Sequence, residues 1–431
     1  MLYFCRMSTY KKVIILFILF SVVVAQVVNA QTPELNREKY DALRKRFNEK
    51  FIYAPGNAAS QGTYIPVELR FLATDGAVVV YWADGTWWLG HYVAMLSLEY
   101  ARLRAENLPA DATLAELKQA LLAYPRLDLN AELCWNGAAE RNGFYLRDDV
   151  SADMAGLFGA KYVRGDYYAK CGDTTTLSNS PSQDQAWASY MGLALAKKLV
   201  DDAEVQHLVR ETADMFLKSM QHTEGKKEVW EVVNPVTGAV AQKRADIQWL
   251  RHAHASAYEF LADTVVQFGH AHRSFWKSAW NFLQNNFMID KHGHFNWYGV
   301  MVLSTVINEW GSGGKNIYDW LVGCGQKLSE KRPDLGQPVM FPHLPLVALL
   351  LHGYSGDKML PRELYDEILN AAPIEGASLW RVDGELVGTP APWCSMSLFC
   401  PWHTKSIGEY NMLDYMLLYN AYWLVYQNSG N

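Results

Sequence analysis

Three acidic patches in the chain have the composition that glycosidic-bond chemistry requires. Asp84 stands inside Tyr81-Trp82-Ala83-Asp84-Gly85-Thr86-Trp87-Trp88, Asp148 and Asp149 directly follow Arg147, and Asp184 stands inside Ser182-Gln183-Asp184-Gln185. Glycoside hydrolysis needs two carboxyl groups, one protonated to assist the leaving group and one ionised. Asp149, Asp148, Asp84 and Asp184 are therefore the candidate catalytic residues. Aromatic faces beside such acids can stack on the C–H faces of a sugar ring, and Tyr81, Trp87, Trp88 and Trp249 are placed to do so. Arg147, Gln183, His252, His343 and Glu409 complete the candidate substrate-binding set as polar contacts.

Each acid also has a structural reading. Asp84, just ahead of Gly85-Thr86, has the residue type preferred at a helix N-cap. Asp184 near a helix start is stabilised by the helix dipole whatever its role. Asp148, Asp149, Ser151 and Asp153 supply hard oxygens, so a cap or a calcium loop competes with catalysis there. Asp414 interrupts the apolar run Leu413–Tyr426, where a buried carboxylate needs a partner. The histidines make no zinc motif: His252 and His254 lie two apart on an expected helix and face apart, and His292-Gly293-His294 has no further ligand at a zinc spacing. The chain carries no Gly-x-Ser-x-Gly elbow, phosphate loop or dinucleotide fingerprint. Neither a metal nor a cofactor is expected.

The elements that must position these residues are helices of two alternating kinds. One kind carries a single apolar stripe, as in Val205, Leu208, Val209, Thr212 and Phe216. The other is apolar nearly all round, as in Trp87–Tyr100, Trp187–Leu199, Phe295–Ile307, Leu344–Leu351 and Leu413–Tyr426, and must be covered on most sides. In order, the pattern predicts helix pairs at 86–107 with 113–124, 182–200 with 202–220, 244–263 with 270–287, 294–310 with 315–329, and 340–353 with 361–371. Helix 406–427 then lacks an outer partner, and helix 35–51, with Tyr40, Leu43, Phe47 and Phe51 on one face, lacks an inner one. Pairing the two chain ends gives six hairpins. Strand signals are confined to Glu228–Gln242 and Leu379–Val387, which read as rim insertions. The helix count and closure resemble the (α/α)6 toroid class, the six-hairpin glycosidase superfamily, over residues 35–427. The resemblance implies an all-α fold with the site at the mouths of the inner helices. It also implies that two aspartates on successive mouths do the chemistry, as in its unsaturated uronyl hydrolases, which would place them at Asp84 and at Asp148 or Asp149.

Residues 1–30 read as a cleaved signal peptide: Lys11-Lys12, an apolar run from Val13 to Ala25, and small residues Val28 and Ala30 ahead of Gln31. The run is shorter than the roughly 20 residues of a membrane span, and no cysteine follows the cleavage point to carry a lipid. The chain is thus expected to be periplasmic or secreted, with residues 31–431 forming a single domain and no membrane span. Removing the leader takes away Arg6, Lys11 and Lys12 and no acid, so the formal charge moves from −6 to −9. Such a balance argues against nucleic acid as a partner, which demands a basic face. Cys134, Cys171, Cys324, Cys394 and Cys400 remain, and Cys394 with Cys400 could pair across a Pro-rich loop, free thiols being the alternative.

The expected function is a glycoside hydrolase acting as a monomer on an oligosaccharide or polysaccharide. Two alternatives stand beside it. One is a polysaccharide lyase in which Tyr81, Tyr145 or His252 takes a proton next to a uronate carboxylate neutralised by Arg147. The other is a glycan-binding protein without turnover.

Overall fold

The computed structural model describes residues 33–82, 84–165, 171, 183–220, 230–245, 261, 349, 362–372, 374 and 408–427. Elements are numbered in chain order within that set. The central one is helix α2 (Gly85–Ala105), buried at every position from Gly85 to Glu99. Its apolar circumference leaves no polar face for water, so other elements must surround it. Helix α1 (Pro33–Lys50), α3 (Asp111–Leu129), α5 (Gln183–Leu199) and α8 (Leu413–Tyr422) do so. Outside them, α6 (Ala203–Met220) buries Val205, Leu208, Val209, Thr212 and Phe216, the stripe read from the sequence. Two further helices are the single-turn α4 (Met154–Leu157) and α7 (Arg362–Ala371).

Helices α2 and α5 approach closely because glycines meet at their crossing. A Cβ on Gly90 would collide with the backbone of Ala188, and one on Gly192 with the carbonyl of Gly90. Thr86 meets Gln185 and Ser189, while Gly192 meets Gly90 and Val93, so the two helices run parallel and begin at the same end.

The chain ends meet as the helix pairing predicts. The Tyr40 and Tyr419 rings stack with centroids 4.7 Å apart. Asn420 Nδ2 donates to Tyr40 Oη at 3.0 Å, and Arg46 Nη1 donates to the Tyr410 carbonyl at 2.7 Å. Lys39 Nζ donates to the carbonyls of Leu369 and Asn370 at 2.8 and 3.0 Å, tying α7 to the same helix. Burial lowers the Lys39 ammonium to about 8.

The all-α toroid expectation is overturned by a four-stranded mixed sheet at this junction. Its strands are β1 (Leu69–Leu72), β2 (Val78–Tyr81), β3 (Tyr162–Arg164) and β6 (Gly408–Tyr410), in the order β3-β2-β1-β6. β1 pairs antiparallel with β2 and β6, and β2 pairs parallel with β3. Residues 408–410, expected as the start of the last helix, are thus an edge strand, and α8 begins only at Leu413. The physical reason lies in the run Leu69–Tyr81. Two short apolar segments flank Asp75-Gly76, where Gly76 adopts φ +77° and Asp75 accepts the Ala77 N–H at 3.0 Å, a turn that sends β2 back along β1. The chain ends are therefore joined by backbone pairing of β1 to β6 as well as by helix packing. A second, two-stranded sheet, β4 (Trp230–Val233) with β5 (Val240–Ala245), falls where the sequence placed a hairpin. Residues 244–245, expected to begin a helix, end strand β5; apart from these and Leu261 and Leu349, the helices expected between 244 and 353 lie outside the described residues, as do the hairpin at 379–387 and Cys324, Cys394 and Cys400. Cys134 is joined by a disulfide to Cys171.

Candidate functional site

The shared mouth of α2 and α5 gathers Asp84, Arg147, Gln185 and Thr86. Asp84 is the N-cap residue of α2, yet its side chain makes no capping bond. Its carbonyl instead accepts the N–H groups of Trp87 and Trp88 at 3.0 and 3.1 Å. The carboxylate turns outward: Oδ1 accepts Gln185 Nε2 at 2.9 Å and Arg147 Nη1 at 3.3 Å. Gln185 is held in turn, because Thr86 donates its hydroxyl to Gln185 Oε1 at 2.9 Å and so fixes which end of the amide faces Asp84. The Asp84 side chain is 42% exposed, whereas Arg147 is 17% exposed. Two parallel helix N-termini lie at this end, and both place positive partial charge there.

Arg147 reaches Asp84 because residue 85 is glycine. A Cβ at Gly85 would fall 2.6 Å from the Arg147 carbonyl and 3.0 Å from the Asp148 Cβ. The neighbouring acids are placed differently. Asp148 is fully buried beneath the mouth, where Oδ1 accepts the Val150 N–H at 3.1 Å. Asp149 is also fully buried and forms a two-pronged pair with Arg126, Nε to Oδ2 at 2.8 Å and Nη2 to Oδ1 at 3.1 Å. Its Oδ1 also accepts the Gly62 N–H at 2.9 Å. Arg126 spends its remaining donors on the Ala58 carbonyl and on Thr63. This geometry clamps the 58–63 loop, α3 and the 147–149 loop together, and it commits both oxygens of Asp149 to protein donors. Among the described residues no three His, Cys, Asp or Glu side chains gather as a metal site.

Aromatic candidates divide in the same way. Trp87 and Trp88 are both buried and packed edge to face, centroids 4.5 Å apart, so neither offers a platform to solvent. His91 packs on Trp87 at 4.0 Å with Nδ1 against the Trp87 carbonyl at 2.9 Å, and burial lowers its pKa to about 4. Tyr81, at the end of β2, remains half-buried, with the Arg164 guanidinium over its ring. Glu409 is buried on β6 and paired with Arg70 at 3.2 Å and Arg46 at 3.6 Å. Asp414 is half-buried in the first turn of α8, where its Oδ1 accepts the Tyr415 N–H, rather than enclosed in the helix. Gln183 and Asp184 lie in the first turn of α5; their side chains, with Trp249, His252 and His343, fall outside what is described.

Sequence reasoning missed Thr86, Gln185 and Arg126. The first two stand inside the quoted patches, and the signal for them is the glycine pair at 90 and 192, which brings their faces together. It also missed a buried acid pair at the end of α3. Burial, with the neighbouring Glu132 charge adding to it, pushes the Asp128 carboxyl up to about 7. The Gly143 N–H, donated to Asp128 at 2.9 Å, opposes that rise. Glu132 is likewise raised, chiefly by burial, and accepts Asn142 Nδ2 at 2.8 Å.

No protein-family model, curated protein or solved structure matches the chain. Among the described residues no helix is long and apolar enough to cross a membrane.

Proposed function

We propose that the α2/α5 mouth is a glycan-processing site and that the chain is a glycoside hydrolase in which Asp84 is a working carboxylate. One observation carries this reading. Of the nominated acids whose side chains are described, Asp84 alone reaches solvent, and it is fixed by Arg147 and by the Thr86–Gln185 relay rather than used as a cap. A carboxylate held in one orientation at a mouth is what acid–base chemistry on a sugar requires, since misplacement by about 1 Å can cost on the order of a hundredfold in rate. Hydrolysis needs a second carboxyl. Asp148, in the loop beneath Gly85, and Asp184, in the first turn of α5, are the candidates for it, and substitution of each by Asn separates them. The Cys134–Cys171 disulfide accords with an exported protein, because such bonds persist in oxidising compartments.

The test is incubation of the mature chain with a panel of neutral and acidic polysaccharides, reading new reducing ends and the absorbance of unsaturated uronates separately. New reducing ends without that absorbance support hydrolysis. Both signals together would make the enzyme a lyase, and sugar binding without either would leave a binding protein.

A further inference from the structure

Cross-strand register decides what surrounds Tyr81. Leu69 pairs with Tyr81 and Phe71 with Val79 across β1 and β2, while Tyr81 pairs with Arg164 and Val79 with Tyr162 across β2 and β3. Alternate residues of a strand share a face, so Phe71, Tyr81, Tyr162 and Arg164 stand on one side of the sheet. The contacts agree. Phe71 and Tyr81 meet edge to face at 6.4 Å, and the Arg164 guanidinium carbon lies 5.3 Å from the Tyr81 ring centroid. Tyr162 is 40% exposed, Arg164 is exposed, and Phe71 and Tyr81 are half-buried.

Charge on this face is unbalanced. Asp75, in the β1–β2 turn, is occupied by Lys161 Nζ and the Tyr162 hydroxyl, each at 3.1 Å, while Glu409, paired with Arg70, stands on the opposite face. Among the described residues no carboxylate pairs with Arg164, whose side-chain contact is the Tyr81 ring. A guanidinium held over an aromatic ring by its charge keeps N–H donors for a further ligand, and its planar fork matches the two oxygens of a carboxylate. Asp84 lies three positions after Tyr81, and a chain that short spans at most about 11 Å. One oligosaccharide is therefore long enough to touch both.

We propose that Arg164 and Tyr81 form an acidic-sugar subsite, so that the glycan processed at Asp84 carries uronate residues. The inference rests on the glycan reading of the Asp84 mouth and adds the substrate class to it. The uronate carboxylate forks onto Arg164, while Tyr162 and Phe71 offer aromatic surface to the adjoining ring. Arg147 is committed to Asp84 and does not take this role.

The experiment is calorimetric titration of the full mature chain with matched uronate and neutral trisaccharides in the glucose, galactose and mannose series, repeated with Arg164→Gln and Arg164→Lys. The expected result is at least one series in which wild type prefers the uronate by tenfold or more. Arg164→Gln should abolish that preference without changing affinity for the neutral sugar, and Arg164→Lys should keep only part of it. Because Arg164 is exposed, melting of the variants should match wild type. Equal binding of acidic and neutral sugars by wild type, or a preference that survives in Arg164→Gln, overturns the subsite and leaves the hydrolase reading standing. Absence of binding to every sugar of either kind overturns both.

Discussion

Asp128→Asn should stabilise the protein at pH 8 and leave it nearly unchanged at pH 4. Asp128 is 4% exposed, and its carboxyl is raised from 3.8 to about 7, first by burial and then by Glu132. The groups facing it are Glu132, Arg141 and the backbone N–H groups of Asn142 and Gly143. Glu140 and Asn142 face Glu132. A carboxyl with a higher pKa folded than unfolded binds its proton more tightly in the native state. Its contribution is therefore complete below about pH 4 and is lost as pH rises toward 7. A shift of about three units corresponds to about 4 kcal/mol at 1.36 kcal/mol per unit, an upper bound because the two acids titrate together. Asparagine keeps the acceptor for the Gly143 N–H and cannot ionise, so it mimics the protonated acid at every pH. Urea denaturation of both proteins from pH 4 to 8 reads the difference directly. The curves should coincide at pH 4 and diverge by about 2–4 kcal/mol at pH 8 in favour of the variant. Parallel curves, or a variant that is less stable at pH 8, would refute the reasoning.

Asp149→Asn should destabilise by about 3–5 kcal/mol, because Arg126 is left as a buried charge without its anion; chemical denaturation reads the loss, and any activity should fall only with the folded fraction. Trp88→Ala should cost about 3–5 kcal/mol as a large core truncation does, and a loss of sugar affinity without a loss of stability would contradict its buried placement. Gly85→Ala should displace the Arg147–Asp148 backbone at a cost of about 1–3 kcal/mol, lowering both melting temperature and turnover; wild-type values for both would mean that the close approach at Gly85 does not matter.

Helices were legible in the sequence wherever burial follows a helical period. The all-round apolar run from Trp87 located α2, and the stripes of α1 and α6 are the buried ones. The sheet was not read, although Asp75-Gly76 between two apolar segments was a usable hairpin signal. Strands β3 and β6 have three residues each and exist through pairing with distant segments, so no local pattern encodes them. Helix α3, expected to stop at Tyr124, continues through Pro125 to Leu129. That extension carries Arg126 and Asp128, which explains why the clamp on Asp149 and the acid pair escaped notice. At the site the acids were legible by type, but burial sorts them: Asp148 and Asp149 face inward, and Asp84 faces out.

The most direct measurement of the central claim is turnover of Asp84→Asn on whichever glycan the wild-type chain cleaves, with its melting curve recorded beside it. The side chain is 42% exposed and caps nothing, so the melting temperature should stay within a few degrees of wild type. Turnover should fall by a factor on the order of 10²–10⁴, the usual contribution of an acid–base group. Wild-type turnover in the folded variant would contradict the claim and remove Asp84 from the chemistry.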